Sequence, residues 1–258
     1  MGSIRYDFTG ERVLVTGASR GIGRAVAEGY AKAGAEIFLL ATGPAVAEAA
    51  REIAAATGAT CHPIECDITD AAAVAAAMDK IGRLDVLVNN AGLERITPIA
   101  DPEAEAAFRR IIEINVIGTY LVTRHAVARM GEGGRIILTA SIWSRTAVPE
   151  FSAYVASKHA NLGFMRSMAH ELAPRGIRVN AVCPGWVRTE AAMLSLANMA
   201  RRSGRPEQAL LDEIVAAQVL PGLLEPEDMA SLYLFLASDG ARDVTGQAYM
   251  LDRGEVMA

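Results

Sequence analysis

A short apolar run at 13–15 passes directly into Thr16-Gly17-Ala18-Ser19-Arg20-Gly21-Ile22-Gly23, and an amphipathic stretch follows at once. Glycines between a strand and a helix leave backbone N–H groups uncovered at the helix N-terminus, where a pyrophosphate binds. A glycine-rich turn alone is only a tight connection; its place after the first strand and at the head of the first helix gives it meaning. The rest of the chain repeats this layout. Apolar runs at 37–41, 61–66, 86–89, 135–140, 178–182 and 248–251 are expected as strands, apolar on both faces because helices cover both sides. Helices are expected at 23–33, 45–57, 70–81, 102–130, 152–173 and 226–238. Such alternation builds βαβ units into an α/β, doubly wound parallel sheet of about seven strands.

The chain has 258 residues, 52% of them hydrophobic, enough for one large core. Neither a repeat nor a linker interrupts it, so residues 1–258 are expected as a single domain. The alanine-rich stretches 45–56 and 71–77 read as helices, because alanine is the best helix former and Ile53, Val74 and Met78 supply an apolar side. Only 189–220 departs from the alternation, with Met and Leu around Arg201, Arg202, Gly204, Arg205 and Pro206. Ligands bind at the carboxyl ends of the strands in such sheets. The segment is therefore expected as a substrate lid, with a subunit contact as the alternative.

A net charge of −5, with no basic cluster longer than Arg201-Arg202, argues against a nucleic-acid partner. The N-terminal residues, with Arg5, Asp7 and Glu11 among few apolar ones, do not read as a signal peptide. No apolar run approaches the ~20 residues of a membrane helix, so a cytoplasmic protein without a membrane partner is expected. The three cysteines, Cys61, Cys66 and Cys183, suit a reducing compartment. Cys61, His62 and Cys66 fall short of a ligand set, and no metal is expected.

Three further segments carry chemistry. Asn89-Asn90-Ala91-Gly92 closes the fourth run. Ser141 ends the fifth and is followed by Tyr154-Val155-Ala156-Ser157-Lys158. Pro184-Gly185, with Thr189 beyond, follows the sixth. Singly, each is ordinary: a serine after a strand usually caps a turn, and a helical asparagine usually bonds locally. In this order and spacing, with the TGxxxGxG turn, they make nearly the whole chain resemble the short-chain dehydrogenase/reductase family, of Rossmann-type fold. The resemblance implies a catalytic set of Asn115, Ser141, Tyr154 and Lys158. Ser141 would bond the substrate oxygen, Lys158 the nicotinamide ribose, and Asn115 a water chain to Lys158. It implies a coenzyme site of Gly17, Ser19, Arg20, Gly21, Ile22, Gly23, Thr42, Asn89, Ala91, Gly92, Tyr154, Lys158, Pro184 and Gly185. Asp67 and Ile68 would flank the adenine, and Val187 and Thr189 would hold the carboxamide.

The chemistry follows from residue types. Reducing a ketone needs a hydride, which the coenzyme carries, and a proton, which the protein must supply. A free tyrosine has a pKa of about 10, and a nearby cation lowers it. Tyr154 and Lys158 stand one helical turn apart and share a face, so the ammonium is expected to bring the phenol toward working pH. An NAD(P)(H)-dependent oxidoreductase interconverting a secondary alcohol and a ketone is the reading. The second run ends Ala41-Thr42-Gly43 without a carboxylate for a ribose 2′-hydroxyl, and Arg20 could pair with a 2′-phosphate, so NADP(H) is favoured over NAD(H).

Substrate candidates are Glu94, Trp143, Phe151, Trp186 and Met193, a set of aromatic walls and charge that suits a polar ketone, a sugar or a polyol. Within the family the chain looks most like the 3-oxoacyl carrier-protein reductases, so a 3-oxoacyl thioester is the alternative substrate. Glu132 before the fifth run would repel an acidic carrier protein. Asp252-Arg253-Gly254 stands where the family often has Asp-Gly-Gly, and reads as a change of tail or subunit contact. A non-catalytic dinucleotide-binding protein would show a damaged motif set, and this one is intact. The resemblance further implies a homotetramer assembled through 102–130 and 152–173.

Overall fold

Strands β1 (Arg12–Thr16), β2 (Glu36–Ala41), β3 (Cys61–Glu65), β4 (Leu84–Asn89), β5 (Met130–Thr139), β6 (Arg178–Pro184) and β7 (Ala248–Leu251) form one sheet in the order β3-β2-β1-β4-β5-β6-β7. Every pairing is parallel. This computed structural model describes residues 4–257; residues 1–3 and 258, the ends of the expected domain, lie outside the described residues. The chain builds outward from β1 to β3, then returns to lay β4 on the other side of β1. That reversal opens a crevice at the carboxyl ends of β1 and β4.

Period-two alternation divides the strand residues between two cores. Val13, Val15, Ile37, Leu39, Val86 and Val88 pack against α1 (Gly21–Lys32), α2 (Ala45–Thr57) and α9 (Pro226–Ala237). Leu14, Phe38, Leu40 and Leu87 face α3 (Ala71–Ile81), α5 (Thr119–Val127) and α6 (Ser152–Leu172). Each such Val, Leu or Ile contributes roughly 1.5–3 kcal/mol on burial, which is why these runs lack polar residues. The edges differ from expectation: only Ile64 is buried in β3, and no residue is buried in β7. An edge strand has fewer neighbours and tolerates Pro63.

The helix expected over 102–130 is not continuous. It is α4 (Ala104–Ile112), then a π-helical turn (Glu113–Gly118), then α5, while Met130 already begins β5. Gly118 lies against Ile68, whose Cδ1 would stand 2.7 Å from a Cβ there. The register between β4 and β5 slips after the Leu84–Met130 pair, and the next pair is Val86–Arg135, so Gly131, Glu132 and Gly133 bulge outward. The 189–220 stretch folds into α7 (Glu190–Ser203) and α8 (Glu207–Ala216), divided at Gly204, whose φ of +66° glycine alone takes up without strain. Leu196, Ala200 and Leu210 join Ile142, Trp143, Phe151, Trp186 and Leu223 in a third, smaller core. Among the described residues, no helix is long and apolar enough to cross a membrane.

Candidate active site

A cleft of about 460 Å³ opens at the carboxyl edge of the sheet. Gly17, Ser19, Arg20, Gly21 and Ile22 line it, with Thr42, Asp67 and Ile68 from the β2–β3 side and Pro184, Gly185, Val187 and Thr189 from the β6 side. Thr16 Oγ1 accepts the N–H groups of Asn90 and Ala91, both at 3.0 Å. Asn90 Nδ2 donates in return to the Thr16 and Gly17 carbonyls, at 3.0 and 3.3 Å. The glycine turn and the end of β4 are thereby clamped so closely that a Cβ on Gly17 would lie 2.9 Å from Ala91 Cα. Arg20 caps α1 without a side-chain capping bond, so no side chain serves the first-turn N–H groups from that position. Bare backbone donors at the positive end of a helix dipole fit the pyrophosphate of a dinucleotide.

Two expected coenzyme residues do not face the cleft. Asn89 follows the Leu87 side of the strand and donates from Nδ2 to Thr123 Oγ1 on α5 at 2.8 Å, whereas Asn90 lines the cleft. Gly23 packs inside the turn, where a Cβ would meet Asn90 Nδ2 and the Gly17 carbonyl oxygen at 2.4 Å each. Ala91 and Gly92 do line the cleft. Arg20 is not idle, since its Nη1 meets Glu190 Oε2 of α7 at 2.9 Å. Asp67 accepts from Thr69 and from Arg110 Nη2 at 3.0 Å. Burial would raise its carboxyl, but these bonds outweigh burial and hold it below its usual range.

Ser141, Tyr154 and Lys158 line the same cleft. Ser141 Oγ accepts the Trp143 N–H at 3.1 Å. Lys158, only 4% exposed, donates to the Thr139 carbonyl at 2.7 Å, and its Nζ lies 5.5 Å from the centre of the Tyr154 ring. Asn115 sits behind the wall. It accepts the Leu93 N–H at 2.7 Å and donates to the Leu93 carbonyl and to Ser157 Oγ, both at 2.9 Å. A Cβ on Gly92 would stand 3.4 Å from Asn115 Oδ1 and 3.6 Å from Lys158 Nζ, so the two groups meet at that glycine.

The expected electrostatics are reversed. Burial pushes the Tyr154 phenol above its ordinary value and Glu94 pushes it further, against the influence of the nearby Ser141 hydroxyl. Burial pulls Lys158 down to about 8, with Cys183 and Glu94 opposing. The ammonium lies over the ring and donates to the Thr139 carbonyl, and burial sets the direction of the phenol's shift. The phenol is held in its neutral form, which is the form that donates a proton.

Toward the substrate end, Trp143 stands edge-on to Tyr154 at 5.8 Å and to Trp186 at 6.2 Å, and both tryptophans line the cleft. Glu94 lines it too, its Oε1 accepting from Ser195 Oγ of α7 at 2.5 Å. Burial raises the Glu94 carboxyl, against the Ser195 bond and the Lys158 charge. Phe151 and Met193 fall outside the lining. Phe151 is 2% exposed and backs Trp143 at 5.1 Å, and Met193 packs into the third core while Ala191 and Ala192 take the wall. Sequence reasoning missed Arg110 and Glu190 as lining groups, since an arginine and a glutamate on helix surfaces look like solvated charges. It also missed how α7 is tethered: Glu190 to Arg20, Ser195 to Glu94, and Arg202 to Glu150 at 2.8 Å.

The chain is similar in sequence and fold to known oxidoreductases. A family model described as enoyl-(acyl carrier protein) reductase matches residues 17–255. The chain is 36% identical over 259 residues to the oxidoreductase UcpA of Escherichia coli O157:H7, covering 96% of this chain and 95% of that protein. It is 35% identical over 250 residues to the D-beta-hydroxybutyrate dehydrogenase of Rhizobium meliloti, covering 93% and 96%. Its fold matches the crystal structure of L-sorbose reductase from Gluconobacter frateurii, complexed with NADPH and L-sorbose. That match has a TM-score of 0.91 at 28% identity and covers 99% of this chain and 100% of that one.

Proposed function

The chain belongs to the short-chain dehydrogenase/reductase family and is an oxidoreductase; from that premise we propose that it interconverts a secondary alcohol and a ketone with NADP(H), Tyr154 passing the proton. The observation that carries the reading is the convergence of Ser141, Tyr154 and Lys158 on the cleft that also holds the glycine turn. The coenzyme, when bound, supplies the hydride. Ser141 hydrogen-bonds the substrate oxygen, and Tyr154 gives it the phenolic proton as the carbonyl is reduced, or takes it back in oxidation. A phenol that burial keeps neutral is ready to donate, and the Lys158 ammonium beside it stabilises the phenolate left behind. Asn115 is a positioning residue that fixes the Leu93 backbone and Ser157 around that pair. Trp143 and Trp186 keep water from the reacting carbon.

Arg20 in the glycine turn and Thr42 after β2, which closes on Ala41 rather than a carboxylate, both line the cleft and support NADP(H) over NAD(H). So does the NADPH in the similar L-sorbose reductase. That likeness supports a polar ketone, sugar or polyol substrate, with the 189–220 segment as its lid and the chain as one catalytic domain. A 3-oxoacyl thioester is the second reading, favoured by the description of the matching family model. The exposed Glu132 on the β5 bulge disfavours an acidic carrier protein. Exposed Phe108, Ile117 and Tyr120 on α4, the π-helical turn and α5 support assembly into a homotetramer. The test is oxidation of NADPH and NADH, followed by absorbance, against ketones of these classes. Tight coenzyme binding without turnover on a broad panel would sink the reading.

A further inference from the structure

Three carboxylates reach the cleft wall, and two are engaged by arginines: Asp67 by Arg110 and Glu190 by Arg20. Glu94 is placed differently. It lines the cleft together with Leu93, Ile142, Trp143 and Trp186, close enough to Tyr154 and Lys158 for its charge to act on both, and the group that meets it is a neutral hydroxyl. Ser195, itself only 9% exposed, reaches from α7 to Oε1, and among the described residues Oε2 carries no protein hydrogen bond.

We propose that Glu94, positioned by Ser195, selects neutral hydroxy ketones and the corresponding polyols, its Oε2 accepting a substrate hydroxyl beside the reacting carbon. The proposal rests on the ketone-reductase reading above and names the substrate class of that same site. A carboxylate among apolar walls is an acceptor without a donor of its own, so it rewards a ligand that brings an O–H. The same charge disfavours a ligand that brings a carboxylate, because two anions would share a poorly hydrated space. Glu94 does not call for a cation, since the Lys158 ammonium already offsets part of its charge. A neutral hydroxyl, that of Ser195, already donates to the other oxygen of this carboxylate.

The experiment measures kcat/KM with NADPH for a ketohexose, 3-oxobutanoate and butan-2-one, in the wild type and in Glu94→Gln, Glu94→Leu and Ser195→Ala. NADPH binding, followed by fluorescence, reports whether each variant is folded. The wild type is expected to prefer the ketohexose to 3-oxobutanoate by roughly a hundredfold, because a site built to hydrogen-bond a hydroxyl penalises what lacks it. Glu94→Leu should cut the ketohexose value at least about tenfold more than the butan-2-one value, with Glu94→Gln between. Ser195→Ala should raise KM for the ketohexose more than it lowers kcat, the mark of a positioning residue. A wild-type preference for 3-oxobutanoate, or an equal loss on all three ketones in Glu94→Leu, overturns the proposal and leaves the ketone-reductase reading standing. No turnover of any ketone by the wild type, with NADPH bound, removes both.

Discussion

Replacing Lys158 with methionine is expected to abolish turnover and, separately, to change how stability responds to alkali. The ammonium is 4% exposed, and burial lowers its pKa from 10.5 to about 8. The sign follows from which state holds more protons. Below about pH 8 both the folded and the unfolded chain carry this proton, and the whole cost of burying the charge is present. Between about 8 and 10.5 the folded chain has released it while the unfolded chain still binds it, so stability rises with pH. At ~1.4 kcal/mol per tenfold change in proton affinity, the rise is roughly 3 kcal/mol. The methionine variant lacks this rise and also leaves the Thr139 carbonyl without its donor, a cost of about 1–3 kcal/mol. Near pH 7 relief of the buried charge offsets that cost, and the variant should match or exceed the wild type in urea unfolding. By pH 10.5 it should be less stable by about 1–3 kcal/mol. Parallel stability curves for the two proteins across that range would refute the reasoning.

Tyr154→Phe removes only the transferable proton. Turnover should fall by about 10³-fold or more, while the Kd for NADPH, measured by fluorescence titration, stays within about twofold. Arg20→Ala should raise the Kd for NADPH by about tenfold and leave that for NADH little changed, as loss of one charge-assisted bond to a 2′-phosphate requires. Glu190→Gln releases Arg20 from its exposed ion pair and should tighten NADPH by no more than a few-fold, because such pairs are weak; equal effects on both coenzymes would contradict the assignment. Gly23→Ala forces a methyl to 2.4 Å from the Gly17 carbonyl oxygen and Asn90, and overpacking of about 1–3 kcal/mol should lower the Tm by roughly 5 °C in a circular dichroism melt.

The sheet was legible because its central strands are apolar on both faces, a pattern that helices on both sides impose. That Tyr154 and Lys158 share a helix face was legible because a four-residue spacing is a matter of local backbone geometry, whereas Ser141 entered only through the family resemblance. Asn89, Phe151 and Met193 fall outside the cleft lining for one reason, the direction of a side chain within a run whose location was right, whereas Gly23 packs inside the turn. Asn89 and Asn90 are adjacent, yet strand alternation sends one to α5 and the other to the cleft. Met193 follows Ala191 and Ala192 on α7, but rotation about the helix turns it into the third core. The direction of the Tyr154 shift was beyond the sequence, because burial depends on what the whole fold stacks around a phenol. The tethers of α7 join residues 52 to 170 positions apart, which no local spacing records.

The widened turn at Glu113–Gly118 carries a consequence for how such a chain can change. It packs more residues into one loop of backbone than a regular helix holds, and that surplus aims Asn115 at Leu93 and Ser157. Loss of a single codon there would let α4 and α5 merge into an ordinary helix, turned against each other by about a quarter-turn. The asparagine would then swing about a quarter-turn away from its partners. A descendant of this chain could thus lose the contacts that Asn115 makes with Leu93 and Ser157 through a deletion too small to alter any other motif.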